Sequence, residues 1–254
     1  MTKHIPNFFT LLNLICGCLA VIFILQTGET LIESDEGTWV PQLPEKIWWG
    51  SILIGIAAVI DFLDGFVARL FRATSEMGKQ LDSLADVVSF GVAPGMILYQ
   101  LLRISFVQEE HGLDTSFWAL APALIFPAAA AWRLARFNTG SATDTDFTGV
   151  PSPAAGLFVA SLPLIMFYNY FNVNTVLVST WTLYAIIIVI SWLMISNVKF
   201  LKLKFSRPSS KGNVPNIVLV VIAVIAGIVL KWLAVPVVFL AYVILSLTMK
   251  KQLK

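Results

Sequence analysis

The chain has 254 residues, 57% of them apolar and only 13% charged, with a net charge of +2. Soluble domains carry about 25% charged residues, so this composition excludes a disordered chain and a soluble globular domain. A net charge this small also excludes a nucleic-acid partner held by bulk electrostatics. Bilayer-spanning helices need about 20 mostly apolar residues, and such segments recur from end to end. The reading is an all-α, polytopic membrane bundle forming one domain over residues 1–254.

Eight segments qualify as spans: residues 7–26, 47–71, 81–102, 117–134, 152–171, 176–196, 214–230 and 234–249. The first is long enough to span and shows no small-residue cleavage pattern, so it reads as a retained helix and not a signal peptide. Cys16 and Cys18 within it read as small apolar helix residues, since two cysteines two apart make neither a disulfide framework nor a zinc site. Asn7, Thr10 and Asn13 recur on the same helix at intervals of three; they either line a ligand site or bond a neighbouring helix. The last two segments are short and divided by Lys231 and Trp232, and as one broken hairpin they would reduce eight spans to seven.

The second and third segments carry charges that a bilayer disfavours. Asp61 and Asp64 lie in one, Asp82 and Asp86 in the other. An ionised carboxylate at membrane depth costs a few kcal/mol or more and usually faces a functional cavity. At about 100° per residue, Asp61, Asp64, Gly65 and Ala68 share one helix face, with Arg69 at its edge. Gly78, Asp82 and Asp86 follow at four-residue steps and form a stripe on the next helix. The short polar connection 72–79 makes the two helices antiparallel neighbours, so the stripes converge near one membrane face. Four carboxylates in one pocket repel strongly. A hard divalent cation, magnesium, manganese or calcium, relieves that repulsion, and no Cys or His ligand for zinc is at hand. Two ions about 4 Å apart would suit four carboxylates and a phosphate-bearing substrate. Ion pairing with Arg69 and Arg72 alone would leave the acids under-neutralised. Gly65 and Gly78 leave room for a ligand against the helix backbone, although Gly78 at a loop-to-helix junction also suits a turn.

Basic residues set the orientation. With the N-terminus inside, only Lys46, Arg103 and Lys231 fall outside, while Lys199, Lys202, Lys204, Arg207, Lys211, Lys250, Lys251 and Lys254 fall inside. The outer loops collect Glu29, Glu33, Asp35, Glu36, Glu45, Glu109, Glu110 and Asp114. Both termini are therefore placed in the cytoplasm, and the acids near the cytoplasmic face of an inner membrane. The basic inner loop from Lys199 reads mainly as an attractor of anionic membrane lipids. Trp39, Trp48, Trp49 and Trp132 fall near the expected interfaces.

The acids belong to a longer pattern, DFLDGFVAR, eight residues, then GKQLDSLAD. Asp61, Asp64, Gly65, Ala68, Arg69, Gly78, Asp82 and Asp86 occupy all eight positions of the signature of the CDP-alcohol phosphotransferase family, which the chain resembles. The resemblance implies a membrane enzyme that breaks the phosphoanhydride of a CDP-linked substrate, releases CMP and transfers the substituted phosphate to an alcohol. The opening IPNFFTLLN, the stretch SFGVAPG, RLARFN at 133–138 and FTGVPSP at 147–153 are similar to the serine-using members. The resemblance covers a catalytic core of about residues 5–199, leaving two C-terminal helices at 214–249 with little motif content.

Several roles follow from the resemblance. CDP-diacylglycerol is the implied donor and L-serine the implied acceptor. Asp61, Asp64 and Asp82 are implied metal ligands, with Asp86 shared between metal and catalysis as the general base for the serine hydroxyl. The implied CDP-diacylglycerol site comprises Asn7, Thr10, Asp61, Gly65, Arg69, Ser75, Gly78 and Asp82, although Ser75 and Thr74 suit helix caps equally well. Arg133 and Arg136, three apart at the end of the fourth segment, suit the serine carboxylate or a phosphate, with Asn138 a weaker third; an ordinary interface anchor is the plain alternative. Family members commonly form homodimers through membrane helices, and no residue here decides that. Two other functions compete. One is a related enzyme with a phosphorylated acceptor, making phosphatidylglycerophosphate or a phosphatidylinositol phosphate. The other is an ion-coupled transporter, which the clustering of the acids toward one face disfavours.

Overall fold

The computed structural model describes residues 5–26, 31–33, 39–41, 46–70, 75–107, 115–139, 148–200 and 214–248. Each of the eight apolar segments coincides with helix. The first is α1 (Ile5–Leu25) and the second α2 (Ile47–Leu70). Between them, β1 (Leu31–Glu33) and β2 (Trp39–Pro41) pair antiparallel with Leu31 opposite Pro41. This small ribbon and an isolated antiparallel bridge between Thr148 and Lys199 are the departures from an all-α chain among the described residues.

The third segment starts earlier than hydropathy indicated. Helix α3 (Glu76–Val87) is nucleated by Ser75, whose Oγ accepts the Gly78 amide at 3.0 Å. A five-residue π turn, Val88–Val92, follows and leads into α4 (Ala93–Val107). Pro94 has no N–H for the Phe90 carbonyl, and the ladder widens just before it, with the Ala93 amide donating to the Val88 carbonyl. The fourth segment is broken near Pro122: α5 (Phe117–Leu120), a 3-10 turn over Ala121–Leu124, then α6 (Ile125–Thr139), one turn longer than hydropathy indicated. Helix α7 (Ser152–Tyr168) stops where Asn169 takes a left-handed φ of 40°. A one-turn α8 (Asn174–Leu177) precedes α9 (Thr180–Ile195). Helices α10 (Val214–Leu230) and α11 (Ala234–Thr248) are separated by a 3-10 turn in which Lys231 has a φ of 51°, and they pack against each other as a hairpin.

Five helical stretches are long and apolar enough to cross a membrane, the hairpin 215–248 counted as one; Ser152–Tyr168 and Thr180–Ile195 are shorter apolar helices. Large side chains such as Phe8, Ile15, Phe62, Trp181 and Ile228 point outward. A soluble protein would not display so many, and the molecule is an integral membrane protein. Most loop charges that set the expected orientation, including Lys202, Lys204, Arg207 and Lys211, lie outside the described residues.

Small residues hold the interior together. Between membrane helices the hydrophobic effect adds little, so close backbone approach must supply the packing. Ala20, Ala57, Ala85, Ala93, Ala123, Ala130 and Ala155 are fully buried. One tight crossing is at Gly17 of α1, where a side chain would strike Ser89 of the π turn. There the Ser89 hydroxyl donates to the Asn13 carbonyl at 3.0 Å. The π turn thus becomes a crossroads for α1, α6 and α7 around the buried Phe90.

Helices α2 and α3 bring their acid-bearing faces together, as expected, and α1 packs closely on both, most extensively on α2. The facing surfaces of α2 and α3 carry like charges, and the space between them holds carboxylates where close-packed helices would need small apolar side chains.

Candidate active site

Helix α1 is the inner wall of the acid cluster. Its Thr10 hydroxyl donates to Asp64 Oδ2 at 3.0 Å and also lies 3.2 Å from the Pro6 carbonyl. One turn further on, Asn13 Nδ2 donates to Asp86 Oδ1 at 3.4 Å. Thr10, Asn13, Asp64 and Asp86 are all buried. The polar spacing on the first helix therefore serves both halves of the motif: one residue holds an acid of α2, another an acid of α3.

Asp61, Asp64 and Asp82 bring carboxylate oxygens within 4.8 Å of one another. Two unit charges about 4 Å apart repel by about 4 kcal/mol at an effective dielectric constant of 20. Asp82 Oδ1 and Asn13 Oδ1 are buried with no hydrogen-bond partner, and such groups call for one. Converging oxygens, an orphaned carboxylate atom and the absence of Cys or His among the three fit a hard divalent cation. Asp86 stands beside this group, one turn beyond Asp82 and close enough to Asp61 for their charges to interact.

A cavity of about 480 Å³ opens beside the acids, lined by Pro6, Asn7, Thr10, Asp64, Gly65, Ser75, Glu76, Gly78, Lys79 and Asp82. Nothing lies within 4 Å of where a Gly65 side chain would start, and at Gly78 a side chain would meet Asn7 Oδ1 and Ser75 Oγ at 3.0 Å. Gly65 thus leaves open space over its backbone, whereas at Gly78 the absence of a side chain lets Asn7 and Ser75 approach closely. Thr74 and the Arg69 side chain lie outside the described residues. Of the eight residues expected at the CDP site, six line the cavity; Asp61 adjoins it through the acid cluster.

The arginine pair divides. Arg133 is buried; its Nη1 donates to Ser152 Oγ of α7 at 2.9 Å, its charge is within reach of Asp86, and its Nε is buried without a partner. Arg136 is consumed by structure. It donates to the Ile195 carbonyl at 2.9 Å, Asn197 Oδ1 at 3.0 Å, the Ser196 carbonyl at 3.2 Å and Thr148 Oγ1 at 3.3 Å. This ties α6 to the end of α9 and to the segment before α7. Asn138 likewise faces protein: its Nδ2 donates to Ser83 Oγ at 2.7 Å, clipping α6 to the acid-bearing α3.

Sequence reasoning passed over Ser152, which accepts from Arg133, and the buried Tyr242, which is near enough to feel the Arg133 charge. A signal for Ser152 existed. RLARFN and FTGVPSP stand apart along the chain but interlock in space, Arg133 with Ser152 and Arg136 with Thr148. Within FTGVPSP the chain turns at Gly149, whose φ of 76° and contact with the Met194 carbonyl admit no side chain. Tyr242 gave no signal, because it stands alone in an apolar helix.

A family model described as CDP-alcohol phosphatidyltransferase matches residues 3–195. The chain is 30% identical over 198 residues to the CDP-diacylglycerol–serine O-phosphatidyltransferase of Bacillus subtilis, covering 78% of this chain and 90% of that one. It is 33% identical over 198 residues to the enzyme of that name from Methanocaldococcus jannaschii, 78% and 74% covered. With the Helicobacter pylori enzyme of the same name it shares 30% over 220 residues, 85% and 78% covered. The matched span takes in α1, the acids of α2 and α3, the π turn and the interlocked α6–α7 pair, and the chain belongs to the CDP-alcohol phosphatidyltransferase family.

Proposed function

We propose that this protein transfers the phosphatidyl group of CDP-diacylglycerol to L-serine, giving phosphatidylserine and CMP, a step of phospholipid biosynthesis. The observation that carries the reading is the convergence of Asp61, Asp64 and Asp82 at the mouth of a cavity, with Asp86 alongside. The names of the relatives support serine as the acceptor.

Asp61, Asp64 and Asp82 would hold a divalent cation, Mg or Mn, and Asp86 would share in a second. Bound there, such ions offset charge on a pyrophosphate and on the departing CMP. Asn7, Thr10, Gly65, Ser75 and Gly78 form the walls against which the CDP portion lies, and Arg69 suits its phosphates. Asp86 accepts the proton of the serine hydroxyl, and the Asn13 amide orients its carboxyl. As the serine oxygen bonds to phosphorus, the phosphorus–oxygen bond to CMP breaks and CMP leaves with the electron pair. The Ser83 and Ser89 hydroxyls on that helix and turn donate to the Lys79 and Asn13 carbonyls and not to a base. The reading is a direct displacement, without a phosphatidyl-enzyme, for which inversion at phosphorus is the expected stereochemistry. Arg133 meets the serine carboxylate through its free Nε–H. The excess of basic residues in the loops on the same side as the acids supports a cytoplasmic site with both termini cytoplasmic.

The test is CMP release from CDP-diacylglycerol by purified protein with serine, glycerol 3-phosphate, inositol phosphate or no acceptor. Release driven by serine alone is expected. Release driven by a phosphorylated acceptor would overturn the serine reading while keeping the family chemistry.

A further inference from the structure

The end of α6 is a fixed post. Arg136 in its last turn bonds to the Ile195 and Ser196 carbonyls, Asn197 Oδ1 and Thr148 Oγ1 at 2.9–3.3 Å. Arg133, one turn earlier, bonds to Ser152 of α7. Two residues beyond Arg136, Asn138 reaches a different helix: its Nδ2 donates to Ser83 Oγ of α3 at 2.7 Å. The Ser83 hydroxyl gives its one hydrogen to the Lys79 carbonyl at 3.1 Å, which leaves its oxygen to accept. Hydrogen bonds linked in such a chain strengthen one another. One anchored helix thus joins the acid-bearing α3 to the arginines of RLARFN.

Ser83 directly follows Asp82, and successive side chains stand about 100° apart around a helix. A bond at Ser83 therefore grips α3 on its flank, beside the face that carries Asp82, and resists rotation of α3 about its own axis. Such a grip has work to do. Asp82 brings a carboxylate oxygen within 4.8 Å of those of Asp61 and Asp64, and like charges at that range push the acid faces apart until a cation is bound. Asp82 Oδ1 is buried without a hydrogen-bond partner. No protein group fixes that oxygen directly, so the orientation of α3 must do it. We infer that Asn138 is a positioning residue: through Ser83 it holds Asp82 toward Asp61 and Asp64, and so sets the affinity for a divalent cation. The inference rests on the reading that these three carboxylates hold such a cation.

The test is a manganese titration of purified protein without donor or acceptor, followed by the electron paramagnetic resonance signal of the free ion. Asn138→Ala and Ser83→Ala break the same bond from its two ends, so either one reads the inference if the other fails to fold. Each is expected to weaken manganese binding about fivefold, the scale of one neutral hydrogen bond. The double variant should bind no more weakly than either single one, as residues acting through one bond do. Thr139→Ala alters the same turn, where the hydroxyl bonds to the Ala135 and Arg136 carbonyls of α6 itself, and should leave the affinity unchanged. At saturating manganese, the acceptor KM of Asn138→Ala in the CMP assay should match wild type. Unchanged affinity in Asn138→Ala and Ser83→Ala overturns the inference, as do losses that multiply in the double variant or an equal loss in Thr139→Ala. A raised acceptor KM with unchanged affinity would instead make Asn138 a contact of the acceptor. If wild type binds no manganese, the cation reading fails and the inference with it; binding by wild type that the variants do not alter overturns the inference alone.

Discussion

Asp86 and Asp82 are one turn apart on one helix, yet their surroundings assign them different work. Asp82 joins the three-carboxylate group and has an oxygen with no protein partner, whereas Asp86 accepts from Asn13, adjoins Asp61 and is close to Arg133. The first suits a ligand and the second a proton acceptor. Asp86→Asn keeps the size and most of the hydrogen bonding but cannot take a proton. We expect it to lower turnover by about 10²–10⁴-fold, the usual share of a general base, while cation-dependent binding of CDP-diacylglycerol is retained. A binding titration beside the CMP assay checks this. Loss of binding along with turnover would make Asp86 chiefly a ligand.

At the scale of elements, α1 is the part that the site cannot lose. It packs on both α2 and α3, donates from Thr10 and Asn13, and crosses the π turn at Gly17 with no room for a side chain. Gly17→Val should force α1 and Ser89 apart, costing about 1–3 kcal/mol as overpacking does. Because the same shift withdraws Thr10 and Asn13, activity should fall further than stability, which a thermal melt beside the CMP assay would detect. Equal activity in the folded variant would show that α1 is only a wall. The apolar runs of the helices were legible in the sequence because hydropathy registers length and composition. Less legible were the places where local chemistry overrides hydropathy: the Ser75 cap that starts α3 in polar sequence, the π turn before Pro94, and the 3-10 turn at Pro122. The acid stripes were legible from helical spacing alone. The position of α1 between α2 and α3 was not, since a short connection suggests neighbours and says nothing of a third helix packed on both.

Across the whole molecule, the buried charged groups among the described residues, Asp64, Asp86 and Arg133, are gathered on one side of the bundle interior. Buried Thr10, Asn13, Asp64, Asp86, Ser89, Arg133 and Ser152 come from five separate parts of the chain, and hydrogen bonds join Thr10 to Asp64, Asn13 to Asp86 and Ser89, and Arg133 to Ser152. Motifs that are scattered in sequence become contiguous here; RLARFN and FTGVPSP are joined by hydrogen bonds between Arg133 and Ser152 and between Arg136 and Thr148. Spacing along a chain cannot show such pairs, which explains why Arg133 and Arg136 read as equals in the sequence and as opposites in the structure. The central claim is that the carboxylates gathered in this way hold a divalent cation that phosphatidyl transfer requires. Its most direct test is serine-dependent CMP release by purified protein, measured before and after treatment with EDTA and again after adding back magnesium or manganese. The account predicts release that is lost in EDTA and restored by either ion. Undiminished release from protein shown to be free of metal would contradict it.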